Sequence, residues 1–257
     1  MVTVRDIFND LNDFAPVETK MDFDNVGLLV GIENQPVTRI LTALDITDDV
    51  IDEAVSGGFQ LIVSHHPMFF SLKSVVDTDI KGRKIIKLIQ NDVSAICMHT
   101  NLDAAEGGVN TCLARIAGIV HPMRLYDAAN SIGLYGQIEK PMELAEYLNY
   151  IKSALKTEGL RYVSGGRPVH KIAVVGGSGA DDMYRAMELG CDTLLTADVK
   201  YHKFVDAAEY GLNLIDADHF CTENPVVSVI KQRLEEHFPE IKVKISERHR
   251  QTVKFLA

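Results

Sequence analysis

The sequence predicts an α/β protein of two related units, with mostly parallel sheets covered by helices, and two observations carry that reading. The first is the pattern of apolar runs. Residues 39–44 read as a buried strand, 47–56 as a helix stopped by Gly57-Gly58, and 59–64 as a second strand. Near-continuous apolar strands alternating with helices belong to parallel sheets covered on both faces. The second observation is recurrence. Residues 171–175 read as a strand, Ser178 with Asp181 as a helix start, Gly190 as its stop, and 192–196 as the next strand. Positions 40 to 64 and 172 to 196 both span 24 residues, so the two stretches read as one diverged repeat.

Each copy continues through a helix into a third strand, residues 93–98 and 212–215. Between the copies, 133–138 reads as a strand, 142–156 as a helix with Pro141 near its start, and 160–163 as another strand. That helix carries its apolar stripe on Leu144, Leu148, Ile151 and Leu155. At the N-terminus, Thr3 and Asp6 have capping-box spacing, with Val4, Ile7, Phe8 and Leu11 on one face. Pro225 suits the first position of a helix turning Val226, Val229, Ile230, Leu234 and Phe238 inward, and 241–245 alternates as a half-buried strand.

Composition narrows the function. The 257 residues are 46% hydrophobic and 24% charged, ordinary for a soluble globular chain. A formal charge of −10 argues against a broad polyanion-binding surface, so nucleic acid is not expected as a partner. No segment reads as a signal peptide or a membrane span. Cys97, Cys112, Cys191 and Cys221 are isolated, with no CxxC pair, which sets an intracellular, reduced location as the expectation.

The chemistry concentrates where strands end. Ser64-His65-His66-Pro67 closes one apolar run, Asp103 follows another, and His219 and Glu223 follow a third. In parallel sheets ligands collect outside the carboxyl ends of the strands. Adjacent histidines on a regular strand point to opposite faces, but at its frayed end they can reach two neighbouring ions. Each residue also has a structural role open to it: a hydrogen-bonded core histidine, a turn or cap at Asp103, a helix N-terminus at Glu223. Five imidazole and carboxylate groups on one expected rim favour a pair of divalent ions, Fe, Zn, Mn, Co or Ni. Asp103 and Glu223 are the candidates to be shared between them. Five ligands over two ions leave positions open, as a catalytic site requires.

His99 and His202 are candidate general acids or bases, or else partners that orient a ligand. His121, His170, His237 and His249 have no such context and read as surface residues. Gly176-Gly177-Ser178-Gly179 reads either as an anion nest or as a tight turn packing strand on helix. It lacks dinucleotide-fingerprint spacing.

The chain resembles the Ngg-interacting-factor-three-like dinuclear metal proteins, also called GTP cyclohydrolase I type 2 homologues. The matching segments are Asp24 through Gly31, Ser64-His65-His66-Pro67, His99 through Asp103, Gly177-Ser178-Gly179, Asp198 through His202, and His219 through Glu223. The resemblance implies two similar, interlaced α/β domains, 1–125 plus 225–257 and 126–224. It also implies a cleft in which His65, His66, Asp103, His219 and Glu223 bind two metals, and a ring-shaped homohexamer. The activity it implies is that of a cytoplasmic metal-dependent hydrolase opening the guanine ring of GTP with release of formate. A phosphoesterase would use the same ligands, and a non-catalytic metal-bearing binding or regulatory module is the competing class. Two departures stand out: Phe23 where the family usually has tryptophan, and Asp218 where glycine is common, an added carboxylate expected beside the metals.

Overall fold

The computed structural model describes residues 1–256 and divides into two compact units, Met1–Glu106 with Val226–Arg250, and Gly107–Pro225 with the segment from Gln251. The first begins with α1 (Val4–Phe14), where Thr3 and Asp6 form the expected capping box and Val4, Ile7 and Leu11 are buried. After β1 (Gly27–Val30) comes β2 (Arg39–Ala43), and Thr47 caps α2 (Asp48–Ser56) through the Val50 amide. Gly58, at φ +62, turns the chain into β3 (Leu61–Ser64). Asp79 caps α3 (Ile80–Gln90), which leads to β4 (Ser94–Cys97) and the short α4 (Thr100–Ala104). Strands β2, β3 and β4 pair in parallel, and β1 closes one edge antiparallel to β4.

The second unit opens with α5 (Val109–Ile116), β5 (Ile119–Arg124), β6 (Leu134–Met142) and α6 (Leu144–Leu155). Residues 107–125, expected with the first unit, belong here. The physical reason is pairing and burial: β5 hydrogen-bonds β6, and Leu113, Ala114 and Ala117 enter the core beneath α6. The segment from Gln251, also expected with the first unit, joins this one through contacts such as Gln251 Nε2 with Asp218. Pro141 lies in the end of β6, where the register slips, and the helix starts later than expected, with Glu143 as its cap residue.

The chain then runs through β7 (Arg161–Val163), β8 (Val169–Val174), α7 (Met183–Glu188), β9 (Thr193–Thr196), α8 (Tyr201–Tyr210), β10 (Asn213–Asp216) and the short α9 (His219–Glu223). Ser178 does not cap a helix; a 3-10 turn at Ala180–Asp182 precedes α7. The repeat is longer than its sequence signal. Here too three successive strands, β8, β9 and β10, pair in parallel, and β7 closes the edge antiparallel to β10 as β1 does to β4. Ile40 faces Leu61 in one unit and Ile172 faces Thr193 in the other, the same sequence offset in both. The second sheet is more mixed than the first, because β5 and β6 add antiparallel pairings on its other side.

Both faces of this second sheet are covered. Ile172, Val174, Leu195 and Ile215 enter one core, while Ala173, Val175, Leu194 and Leu214 enter another. That is the two-residue period of a strand buried on both sides.

The chain returns to the first unit through α10 (Pro225–His237), with Val226, Val227, Ile230 and Leu234 buried, and β11 (Lys242–Ile245), which pairs in parallel with β2. The first sheet therefore has the order β1-β4-β3-β2-β11. Glu53 of α2 fastens this last strand. Its carboxylate accepts from Ser246 Oγ at 2.6 Å, from the Glu247 and Arg248 amides at 3.2 and 3.0 Å, and from Lys244 Nζ at 3.2 Å.

Burial works against the Glu53 charge, but these hydrogen bonds outweigh it and hold the pKa below the ordinary 4.5. A depressed carboxylate stabilises the fold above its unfolded pKa, and that contribution disappears as pH falls through the native value. Glu53→Gln is expected to lose about 1–3 kcal/mol at neutral pH. The difference from the parent should close as pH drops below 4.5, read by denaturant midpoints across the range.

Candidate metal centre

Three imidazoles gather at the carboxyl ends of β3 and β4. His65 and His66 follow β3, His99 follows β4, and their donor atoms lie within 4.8 Å of one another. Asp103 is on α4 and is buried, with Oδ1 at 3.7 Å from His65 Nε2. Two donors holding one ion at about 2.1 Å lie about 3–4 Å apart, so this separation suits a shared ion. The second unit contributes a separate pair. His219 and Glu223 lie one turn apart on α9, with Nε2 and Oε2 separated by 3.0 Å.

The hydrogen bonds on the other ring nitrogens test whether these residues fit metals. His65 Nδ1 is 2.9 Å from the Met98 carbonyl oxygen, which can only accept. His66 Nδ1 meets Asp45 at 2.8 Å, His99 Nδ1 meets Asp24 at 2.8 Å, and His219 Nδ1 meets Asp198 at 2.7 Å. Ionised carboxylates also only accept, so all four rings must carry a proton on Nδ1. A neutral ring then presents its Nε2 lone pair. Fixing the tautomer through Nδ1 is how proteins prepare histidines for metals, and the donor set fits divalent ions.

Those carboxylates were not among the sequence candidates. Asp45 follows β2, Asp198 follows β9, and Asp24 lies in the loop before β1. Asp24 also accepts from the Thr100 amide at 2.9 Å and from the Thr100 hydroxyl. Burial opposes its charge, but the His99 and Thr100 hydrogen bonds outweigh it and hold the carboxyl well below the usual range. For His219, burial disfavours the cation, yet Glu223 and Asp198 prevail and push its pKa up to about 9. An ion arriving at Nε2 must displace that proton.

Gly176-Gly177 resolves in favour of packing. The Gly176 amide donates to Asn110 Oδ1 at 3.0 Å, that of Gly177 to Thr222 Oγ1 at 3.1 Å, and that of Gly179 to Thr196 Oγ1 at 2.9 Å. With three of its four amides so engaged, the loop serves as a tight turn packing strand on helix. A Cβ on Gly177 would lie 2.2 Å from Glu223 Oε1, so the bare backbone is what lets that carboxylate sit there.

Asp218, expected as an added carboxylate beside the metals, has a capping role. It caps α9, accepting from the Cys221 amide at 3.0 Å, and its φ of +73 explains why glycine suits the position. Asp198, at φ +52, is likewise left-handed, and both side chains are held by hydrogen bonds.

His202 is exposed on the first turn of α8 beside Asp181, and it joins no group of candidate metal donors among the described residues. His249 is not a surface residue. It is half-buried, its Nδ1 accepts from the Leu44 amide at 3.2 Å, and burial lowers its pKa. All four cysteines are buried and free, burial pushes Cys221 up to about 12, and none of them joins a group of candidate metal donors among the described residues.

Strand-end imidazoles with fixed tautomers, set beside buried carboxylates, define a class: α/β proteins with groups able to hold a metal ion. The model of the Duf34/NIF3 (NGG1p interacting factor 3) family matches residues 2–252, and the chain belongs to that family. It is 41% identical over 239 residues to a Clostridium perfringens protein named GTP cyclohydrolase 1 type 2 homolog, covering 91% of each chain. A Clostridium acetobutylicum protein of the same name is 39% identical, over 90% of this chain and 89% of the relative. Among solved structures, a Staphylococcus aureus hypothetical protein superposes with TM-score 0.89 at 29% identity over 99% of each chain. A Bacillus cereus protein related to NIF3 gives TM-score 0.93 at 23% identity, over 100% of this chain and 99% of the other, a likeness of fold. No helix among the described residues is long and apolar enough to cross a membrane.

Proposed function

We propose that the chain is a dinuclear metal-dependent hydrolase in which His65, His66, Asp103, His219 and Glu223 together hold two divalent ions. The observation that carries this reading is the set of Nδ1 hydrogen bonds to Met98, Asp45 and Asp198, which fixes His65, His66 and His219 in the tautomer that ligates metals through Nε2. Bound ions of this kind polarise water and substrate oxygens. The chain's own residues supply the rest. Asp103 and Glu223 bring carboxylate charge to the ions, and the Gly177 backbone keeps the Glu223 carboxylate in its place.

His99 manages protons. With Nδ1–H fixed on Asp24, its Nε2 is the atom that takes a proton and returns it. Its position among the other imidazoles favours it over the exposed His202 in this role. The specific reaction proposed is opening of the guanine ring of GTP with release of formate, which the names of the two Clostridium relatives support. The working form proposed is a homohexamer.

The test starts with elemental analysis of protein purified without added metal, followed by formate assay with GTP after restoring Fe, Mn or Zn. Two ions per chain and metal-dependent formate are expected. Activity that survives complete metal removal would overturn the proposal, and two bound ions with no turnover would move the chain to the binding-module class.

A further inference from the structure

Exposed aromatic rings beside His99 have no part in the proposed metal chemistry. Phe23 is 68% and Phe70 is 53% exposed, and their centroids lie 6.1 Å apart at an interplanar angle of 55°. The Phe70 ring is 5.8 Å from that of His99, which in turn is 5.2 Å from His65. Large rings left in water next to a polar cluster are unfavourable unless something covers them.

The backbone around the pair is secured, although the rings are not buried. Met68 and Phe69 pack on the core of the first unit, and Asn25 Nδ2 donates to the Phe69 carbonyl at 2.9 Å. On the other side, Lys20 Nζ donates to the Asp24 carbonyl at 2.9 Å and the Met21 amide donates to Thr100 Oγ1 at 2.9 Å. One short segment thus does three things: it displays Phe23, orients His99 through Asp24, and holds the Phe70 loop through Asn25.

We propose that Phe23 and Phe70 form a stacking platform for a planar nitrogen heterocycle, with a purine base as the substrate class. A flat π-system covers such rings without needing a closed pocket, and base stacking on aromatic side chains tolerates open geometry. The tautomer of His99 adds direction, since its Nε2 lone pair accepts from a ring N–H of the base. The inference rests on the metal-hydrolase reading for its chemistry, but stacking can be measured without turnover.

The chain has no tryptophan, so Phe70→Trp in the full-length, metal-loaded protein is a single fluorescent reporter at the platform. Guanosine is expected to quench its emission saturably, whereas ribose 5-phosphate is not. Adding Phe23→Leu, which keeps apolar bulk but removes the ring, should weaken guanosine by about tenfold or more. Equal affinity with and without the Phe23 ring, or no quenching by guanosine, overturns the platform. So does a change in particle size by light scattering in Phe23→Leu with guanosine binding intact, because the pair would then be a contact between copies. No quenching of the Phe70→Trp reporter by guanosine, with metal content unchanged, sinks this inference alone. Stacking by a chain that takes up no divalent ion sinks the hydrolase reading and leaves the platform standing.

Discussion

Glu223→Ala is expected to strip the protein of metal-dependent activity, and Gly177→Ala to go much of the way without touching a ligand. The second variant is the more informative. An alanine Cβ at position 177 would fall 2.2 Å from Glu223 Oε1, and the residue sits at φ +63, where a side chain is strained. The left-handed conformation costs about 1–2 kcal/mol, while the larger effect is on the carboxylate, which is 4% exposed and has little room to withdraw. Disturbing what supports a ligand typically weakens metal binding by about 10–100-fold. Isothermal titration with the divalent ion, beside a thermal melt, separates the two effects. Full affinity in Gly177→Ala would remove the glycine from the account of the site.

Asp24→Asn tests the tautomer. Asp24 Oδ1 accepts from His99 Nδ1 and from the Asn25 amide, both at 2.8 Å, and Oδ2 accepts from Thr100. An asparagine that keeps its carbonyl toward Thr100 turns its NH₂ toward His99. The ring must then accept at Nδ1 and carry its proton on Nε2, the wrong atom for taking one from substrate. A drop of about 10²–10⁴ in turnover is expected, the range seen when a base is held in the wrong tautomer. Stability should fall by only about 1–3 kcal/mol. Nitrogen chemical shifts of His99 read the tautomer directly. Unchanged turnover alongside a switched tautomer would remove His99 from proton transfer.

Much of this molecule is legible in its sequence because its signals are local. Apolar runs such as Leu61-Ile62-Val63 and stops such as Gly57-Gly58 mark strands and helix ends through neighbours in the chain, and they place His65 and His66 where β3 ends. What could not be read depends on partners far away. The carboxylate holding His66 is 21 positions distant, and the one holding His99 is 75. Their signal was faint but present, since Asp45 and Asp198 also follow strand ends. The role of Gly177 requires Glu223, and the cap made by Asp218 requires the left-handed turn after β10. The unit boundary was missed for a similar reason: α5 and β5 declare their allegiance only through β6 and the core under α6.

The return of the chain to its first unit has a consequence for biosynthesis. Strand β2 receives its neighbour β11 only after the inserted stretch Gly107–Pro225 has been made, since Ile40 pairs with Val243. Until then a nascent chain exposes the unpaired flank of β2, a surface prone to joining other chains. The inserted unit, whose sheet needs no strand from outside it, is able to mature first. Synthesis interrupted before β11 should therefore yield a correctly formed middle attached to an aggregation-prone beginning.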